Sequence, residues 1–231
     1  MGETTTFSAP AGSATGYLAV SAGGVGPGVL VVQEWWGLVP QIRGVCDRLA
    51  AAGFTALAPD LYRGAVATHA EPDEAARLMA ELPLDRAAAD MTSAVDHLLA
   101  HPATRGDAVG VVGFCMGGML TLVMAARGGD RIGAAAPFYG APLGDAEPDW
   151  STLTAPVRGH FAANDDFFAP EAVADLEARL RAQGKDVEFR MHPGTAHAFA
   201  NEENPFGTHD AAAATAAWDA TVAFLGSALS R

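Results

Sequence analysis

The chain has 231 residues, half of them hydrophobic, and a formal net charge of −13 from 27 acidic against 14 basic side chains. That apolar content supports one sizeable core, so a single domain spanning residues 1–231 is expected. So acidic a chain has no basic footprint for nucleic acid or an anionic membrane surface, which leaves a small molecule as the expected partner. The two cysteines, Cys46 and Cys115, and the lack of a basic-then-apolar leader pattern in residues 1–16 point to a reducing cytoplasm without disulfides. No apolar run approaches the roughly 18 residues that a membrane span needs.

In chain order, β-type apolar runs alternate with segments of helical period, which predicts a mostly parallel sheet with helices on both faces. A strand at Gly28–Gln33 is followed by a helix at Ile42–Ala52 and a strand at Phe54–Ala58. Helices at Asp73–Leu82 and Arg86–Ala100 lead to a strand at Ala108–Gly113, a helix at Met116–Ala126 and a strand at Ala134–Tyr139. The rest reads as a strand at Val157–Ala162, a helix at Pro170–Gln183, a strand at Val187–Met191 and a terminal helix at Asp210–Leu229. Pro170 suits a first helical turn and Gly184 a helix exit, while Pro83 and Pro102 punctuate the earlier pair. The alanine runs are simple helix formers, and Cys46, on the apolar face of Ile42, Val45 and Leu49, is a core residue.

The most informative segment is Gly113-Phe114-Cys115-Met116-Gly117-Gly118, a tight turn between a predicted strand and a predicted helix. It reads as a nucleophile elbow whose glycines stand where a Cβ would collide with neighbouring backbone. A cysteine there is a strong nucleophile as thiolate and also prone to oxidation, so its protonation must be controlled. A thiol nucleophile needs a base, an orienter for the base and donors for the oxyanion. His197, in the Pro-Gly-Thr-Ala-His loop after the last predicted strand, can supply the base; His192 competes but lies nearer the strand and precedes Pro193. Asp165 and Asp166, just past the preceding strand, are equivalent on chemistry alone, since either can orient the imidazole or cap the helix at Pro170. The order cysteine, acid, histidine along the chain is that of α/β-hydrolases. Glu34, ending an apolar strand beside Trp35 and Trp36, is either a satisfied structural acid or a group that governs the thiol. The N–H groups of Trp35 and Met116 are the candidate oxyanion donors.

Taken together, the Gln33-Glu34 strand end, the Pro-Asp-Leu-Tyr turn at residues 59–62, the Gly-Phe-Cys-Met-Gly-Gly elbow, the Asp165-x-Phe167 loop and the Gly-x-x-His-x-Phe segment ending at Phe199 resemble the dienelactone hydrolase family. The resemblance runs from about Gly28 to the C-terminus. It implies an α/β-hydrolase fold and a triad of Cys115, Asp165 and His197, with Glu34 as a fourth participant that takes the thiol proton when substrate binds. It also implies ring opening of a lactone, or ester cleavage, through a thioester, with no cofactor and a monomeric state. The family holds its substrate carboxylate with two arginines. Here Asn201 stands at one of those positions, and the other region has only Arg63 and His69 nearby, so recognition of an acidic lactone is expected to be weak. Trp36, Phe167, Phe199 and Asn201 are the expected substrate-binding side chains, with Trp35 and Phe168 close by, in a pocket suited to a neutral ester or lactone. A thioesterase or acyl-transfer relative, and an inactive ligand-binding or redox-sensing member, are the alternatives. Neither a metal site nor a dinucleotide site is expected: the two cysteines form no Cys-x-x-Cys pair, and Gly23-Gly24-Val25-Gly26 precedes a strand where a phosphate-binding turn would follow one.

Overall fold

The computed structural model describes residues 1–230. One sheet contains eight strands, β1 (Glu3–Ala9), β2 (Gly12–Ala19), β3 (Gly26–Val32), β4 (Thr55–Pro59), β5 (Thr104–Phe114), β6 (Ile132–Phe138), β7 (Val157–Asn164) and β8 (Val187–Ala196), in the order β1-β2-β4-β3-β5-β6-β7-β8. The pairings of β1 with β2 and of β2 with β4 are antiparallel, and all others are parallel. The helices are α1 (Pro40–Ala51), α2 (Pro72–Ala80), α3 (Leu84–Ala100), α4 (Met116–Arg127), α5 (Pro170–Ala182) and α6 (Ala211–Ala228). Among the described residues, no helix is long and apolar enough to cross a membrane.

This order fixes where the helices go. From β3 the chain steps one way through α1 to β4, then returns past β3 through α3 to β5 and continues in that direction through α4 and α5. Right-handed crossovers in opposite directions fall on opposite faces of a sheet, so α1 lies on one face and α3, α4 and α5 on the other. The terminal α6 joins α1, with the Arg48 guanidinium 4.3 Å from the Trp218 ring centroid. Strands covered on both faces read as continuous apolar runs, and β3 is buried along its whole length. The direction of winding reverses between β3 and β5, and ligands in open α/β sheets bind at the carboxyl ends beside such a reversal.

The six predicted strands and all predicted helices are present, with ends shifted by a few residues. Two elements differ from expectation. The hairpin β1–β2 has no counterpart in the sequence reading, because Thr, Ser, Gly and Ala dominate it and β1 is mostly exposed, which leaves little apolar signal. Strand β8 continues through Pro193 and Gly194, where a loop is expected. As the sheet's outer strand it has a free edge, and a proline lacking its N–H is tolerated there.

Between β7 and β8, His160 Nδ1 and His192 Nε2 lie 3.0 Å apart in the core. Burial, with the neighbouring His192 second, pushes the His160 imidazole down to about 3. Burial likewise lowers His192. A histidine depressed in the folded state contributes stability above its unfolded value of about 6.5, lost progressively as pH falls toward the folded value. Between neutral pH and about pH 5, wild type should therefore lose roughly 1–2 kcal/mol more unfolding free energy than His160→Gln in urea titrations. Parallel losses in the two proteins would show that the pair is protonated equally in both states. Backbone space gives a second test. A Cβ at Gly117 would overlap the carbonyl oxygen of Val32, whereas one at Gly44 in α1 would meet nothing within 4 Å. Gly44→Ala should gain about 0.5–1 kcal/mol in chemical denaturation and Gly117→Ala should lose about 3 kcal/mol or more.

Candidate active site

Five neighbouring strands, β3, β5, β6, β7 and β8, each deliver a functional group just past their carboxyl ends: Glu34, Cys115, Tyr139, Asp165 and His197. Sequence separations of more than a hundred residues collapse to one sheet edge because all five strands run parallel.

Cys115 links β5 to α4 with φ 55° and ψ −119°, a strained conformation for a side-chain-bearing residue. The turn is held by its neighbours: Cys115 N–H donates to the Phe138 carbonyl (3.0 Å), and its own carbonyl accepts from Gly118 (2.9 Å) and Met119 (3.2 Å). A Cβ at Gly113 would overlap the Gly117 carbonyl, so the glycines on both sides of the cysteine serve backbone approach, as the motif implies. Burial, followed by the Glu34 charge, pushes the Cys115 thiol up, and Asp165 adds to this, while the N–H groups of Met116 and Trp35 act in the opposite direction. The two expected oxyanion donors thus both act on the Cys115 thiol, Trp35 from the end of β3 and Met116 from the first turn of α4. The thiol is a neutral group in this arrangement, and among the described residues no hydrogen bond joins it to His197 or Glu34.

His197 Nδ1 meets Asp165 Oδ2 at 2.9 Å and Oδ1 at 3.1 Å, with both residues buried. The Asp165 Oδ1 also accepts from the N–H groups of Phe167 (2.8 Å) and Phe168 (3.0 Å), which locks the carboxylate in a tight turn. With Nδ1 taken by the carboxylate, Nε2 is the free nitrogen for proton transfer. Geometry thus separates pairs that chemistry left open: Asp166 is exposed, and His192 is occupied by His160.

Glu34 is 1% exposed and accepts from Tyr139 Oη at 3.1 Å and from Asn201 Nδ2 at 2.9 Å. Burial raises its carboxyl above the usual range, opposed chiefly by His197 and then by the two donors. Tyr139 was hidden inside an apolar strand pattern; its φ of +36° and its ring 5.3 Å from the His197 ring mark it as part of the site.

The expected substrate-binding set needs correction. Asn201 is fully buried, with its amide on Glu34 and its oxygen on the Glu203 N–H (3.0 Å), so its side chain faces the carboxylate and is not free for a substrate. Phe199 is fully buried and packs on Tyr139 and His192 as a floor. Trp36 is buried beneath Trp35, His69 and Phe206. Phe167, more than half exposed with its ring 4.5 Å from that of His197, does sit at the mouth. Phe206 joins it, 5.8 Å from Phe167 and 6.1 Å from His197. Nothing in the local sequence distinguishes Phe206, which reaches the site only because the loop after His197 folds back over it; Thr208 Oγ1 donates to the His197 carbonyl (2.6 Å) and fixes that return. Arg63 is held by Asp90 (2.7 and 2.8 Å) and is not available as a substrate cation. His69 Nε2 lies 3.5 Å from Glu203 Oε2. A cavity of about 310 Å³ bounded by Arg48, Ala200, His209 and Trp218 is lined by none of the five groups at the sheet edge.

The comparisons agree with this architecture. The model of the dienelactone hydrolase family matches residues 14–229. "Protein usf" of Aquifex pyrophilus is 36% identical over 230 residues, covering 97% of both chains. The "Putative carboxymethylenebutenolidase" of Aquifex aeolicus is 33% identical over 230 residues, again covering 97% of both. A solved structure described as a "Putative Dienelactone Hydrolase" from Klebsiella pneumoniae superposes with a TM-score of 0.82 at 26% identity, covering 97% of this chain and 98% of that one. With its eight-stranded, mostly parallel sheet and its helices on both faces, the chain belongs to the dienelactone hydrolase family of ester-hydrolysing α/β-hydrolases.

Proposed function

We propose that the chain hydrolyses small uncharged carboxylic esters or lactones through a thioester on Cys115. The observation that carries this reading is the placement, past the carboxyl ends of neighbouring parallel strands, of Cys115 on a strained strand-to-helix turn, of the buried Glu34 carboxyl and of the Asp165–His197 pair.

The chemistry follows from these groups. The substrate carbonyl oxygen takes the Trp35 and Met116 N–H groups, which aim at the position where negative charge develops. The sulfur leaves that position, its proton passes to Glu34, and the thiolate turns toward protonated His197 and the carbonyl carbon. Attack forms the carbon–sulfur bond and a tetrahedral oxyanion. Collapse breaks the carbon–oxygen ester bond, and the His197 Nε2 proton goes to the departing alkoxide. Neutral His197 then removes a proton from water, which attacks the thioester and releases the acid. Glu34 returns the proton to the thiolate. Helix α4 begins at the nucleophile, so its N-terminal dipole favours the transient anion.

The substrate class rests on charge. The site is walled by Trp35, Phe167 and Phe206, its carboxyl groups are Glu34, Asp165 and Glu203, and Arg63 is already paired. An anionic substrate finds no free guanidinium there, whereas an aryl or alkyl ester gains ring contacts. Wild type should cleave p-nitrophenyl acetate with a higher kcat/KM than an acidic dienelactone. Cys115→Ala should lose at least about 1000-fold on both, and Asp165→Asn about 100-fold or more. Peptide mass mapping after a quenched reaction should find the acyl group on Cys115. Full turnover by Cys115→Ala, or acylation elsewhere, would overturn the reading. Phe206→Ala should cost about tenfold in kcat/KM for aryl esters and less for a small alkyl ester; an equal loss on both would remove Phe206 from the pocket wall.

A further inference from the structure

We propose that Asn201 is a positioning residue that holds the Glu34 carboxylate in its proton-accepting state beside Cys115 through an uncharged contact. The proposal rests on the thioester reading above and assigns a role to a side chain that does not touch the substrate.

The geometry begins with orientation. Glu203 N–H can only donate, so the Asn201 atom it meets at 3.0 Å is the amide oxygen, and the amide nitrogen is the one 2.9 Å from Glu34 Oε2. The Asn201 backbone is tied at both ends, its N–H to the Ala198 carbonyl (2.9 Å) and its carbonyl to the Asn204 N–H (3.0 Å). The residue is fully buried and sits on the loop that also carries His197. It therefore couples the histidine loop to the end of β3 by one hydrogen bond whose direction the backbone fixes.

What Asn201 meets is a carboxyl buried without an ion-pair partner. Among the described residues no Lys or Arg lies within salt-bridge distance of Glu34. The charged and titratable groups facing it are Tyr139 after β6, Cys115 after β5, His197 after β8, Glu203 on the same loop as Asn201, and Arg48 from α1 acting on Tyr139. Donors to a carboxylate favour its charged form, while burial and Glu203 favour the neutral acid. Only an ionised Glu34 can accept the thiol proton. Removing a donor shifts the balance toward the neutral acid and raises the pH at which the enzyme becomes active; replacing the donor by a second carboxyl does so more strongly, because two acids in contact share one proton.

The test is the pH dependence of kcat/KM for p-nitrophenyl acetate in wild type, Asn201→Leu, Asn201→Asp and Tyr139→Phe. The acid limb should move up by about one pH unit or more in each variant, most in Asn201→Asp. Asn201→Asp preserves shape, so it keeps the test alive if Asn201→Leu fails to fold. A packing role alone would lower thermal stability and leave the limb in place, which would overturn the proposal. Cys115→Ala, assayed alongside, separates the two levels: if it retains turnover the thioester reading fails, whereas an inactive Cys115→Ala with an unmoved limb removes only the role of Asn201.

Discussion

The first turn of α4 lies against the end of β3 so closely that no Cβ fits at Gly117, where it would overlap the Val32 carbonyl. The other features of the site depend on that approach. It puts the Trp35 N–H, from the β3 side, and the Met116 N–H, from the α4 side, where both act on the Cys115 thiol. It places Glu34 beside Cys115, since both leave adjacent parallel strands at the point where winding reverses. The strained backbone at Cys115 persists because the Phe138 carbonyl on the next strand and the turn of α4 hold it from both sides. Thus the sheet supplies the positioning, and the loops supply the chemistry.

Charge then decides how the site behaves. A thiol surrounded by buried acids is disfavoured as an anion, which protects it from oxidation while no substrate is bound. The same surroundings keep Glu34 dependent on uncharged donors, Tyr139 and Asn201, so its ability to take a proton rests on two hydrogen bonds without an ion pair. On the proposed mechanism, the thiol proton moves to Glu34 when the substrate carbonyl takes the Trp35 and Met116 N–H groups. The rings of Trp35, Phe167 and Phe206 gather around His197 and offer nothing to an anion.

Features carried by backbone pattern were legible in the sequence, and those created by tertiary return of a loop were not. The elbow, its glycines and the acid-to-histidine order are consequences of strand ends, so placement points to Cys115, His197 and one of Asp165 and Asp166 at one edge; the resemblance selects Asp165, and in the structure it is Asp165 that meets His197. Trp36, Phe199 and Asn201 lie beside the functional positions along the chain, and adjacency suggested that they line the pocket. These three lie in the turns that follow β3 and β8, where no regular period says which way a side chain points, and they are buried as floor and support. Tyr139 was invisible because a tyrosine that ends an apolar run looks like any core residue until its hydroxyl is seen on Glu34. Phe206 needed the fold of residues 198–210, which no local periodicity encodes. The β1–β2 hairpin is hard to read for another reason: its buried positions Ala14, Gly16 and Leu18 alternate with Thr15 and Tyr17, but alanine and glycine carry too little apolar signal to stand out.

The central claim is that the resting thiol is neutral, held among donors that will later bind the oxyanion. The most direct measurement is the ultraviolet thiolate absorbance of the free enzyme against pH, with the Cys115→Ala signal subtracted to remove Cys46. The account predicts no thiolate from Cys115 at neutral pH, with ionisation only above the ordinary cysteine value of about 8.5. A thiolate signal already present near pH 7 would contradict it, since the sulfur would then rest as an ion pair with His197 and Glu34 would have no proton to accept.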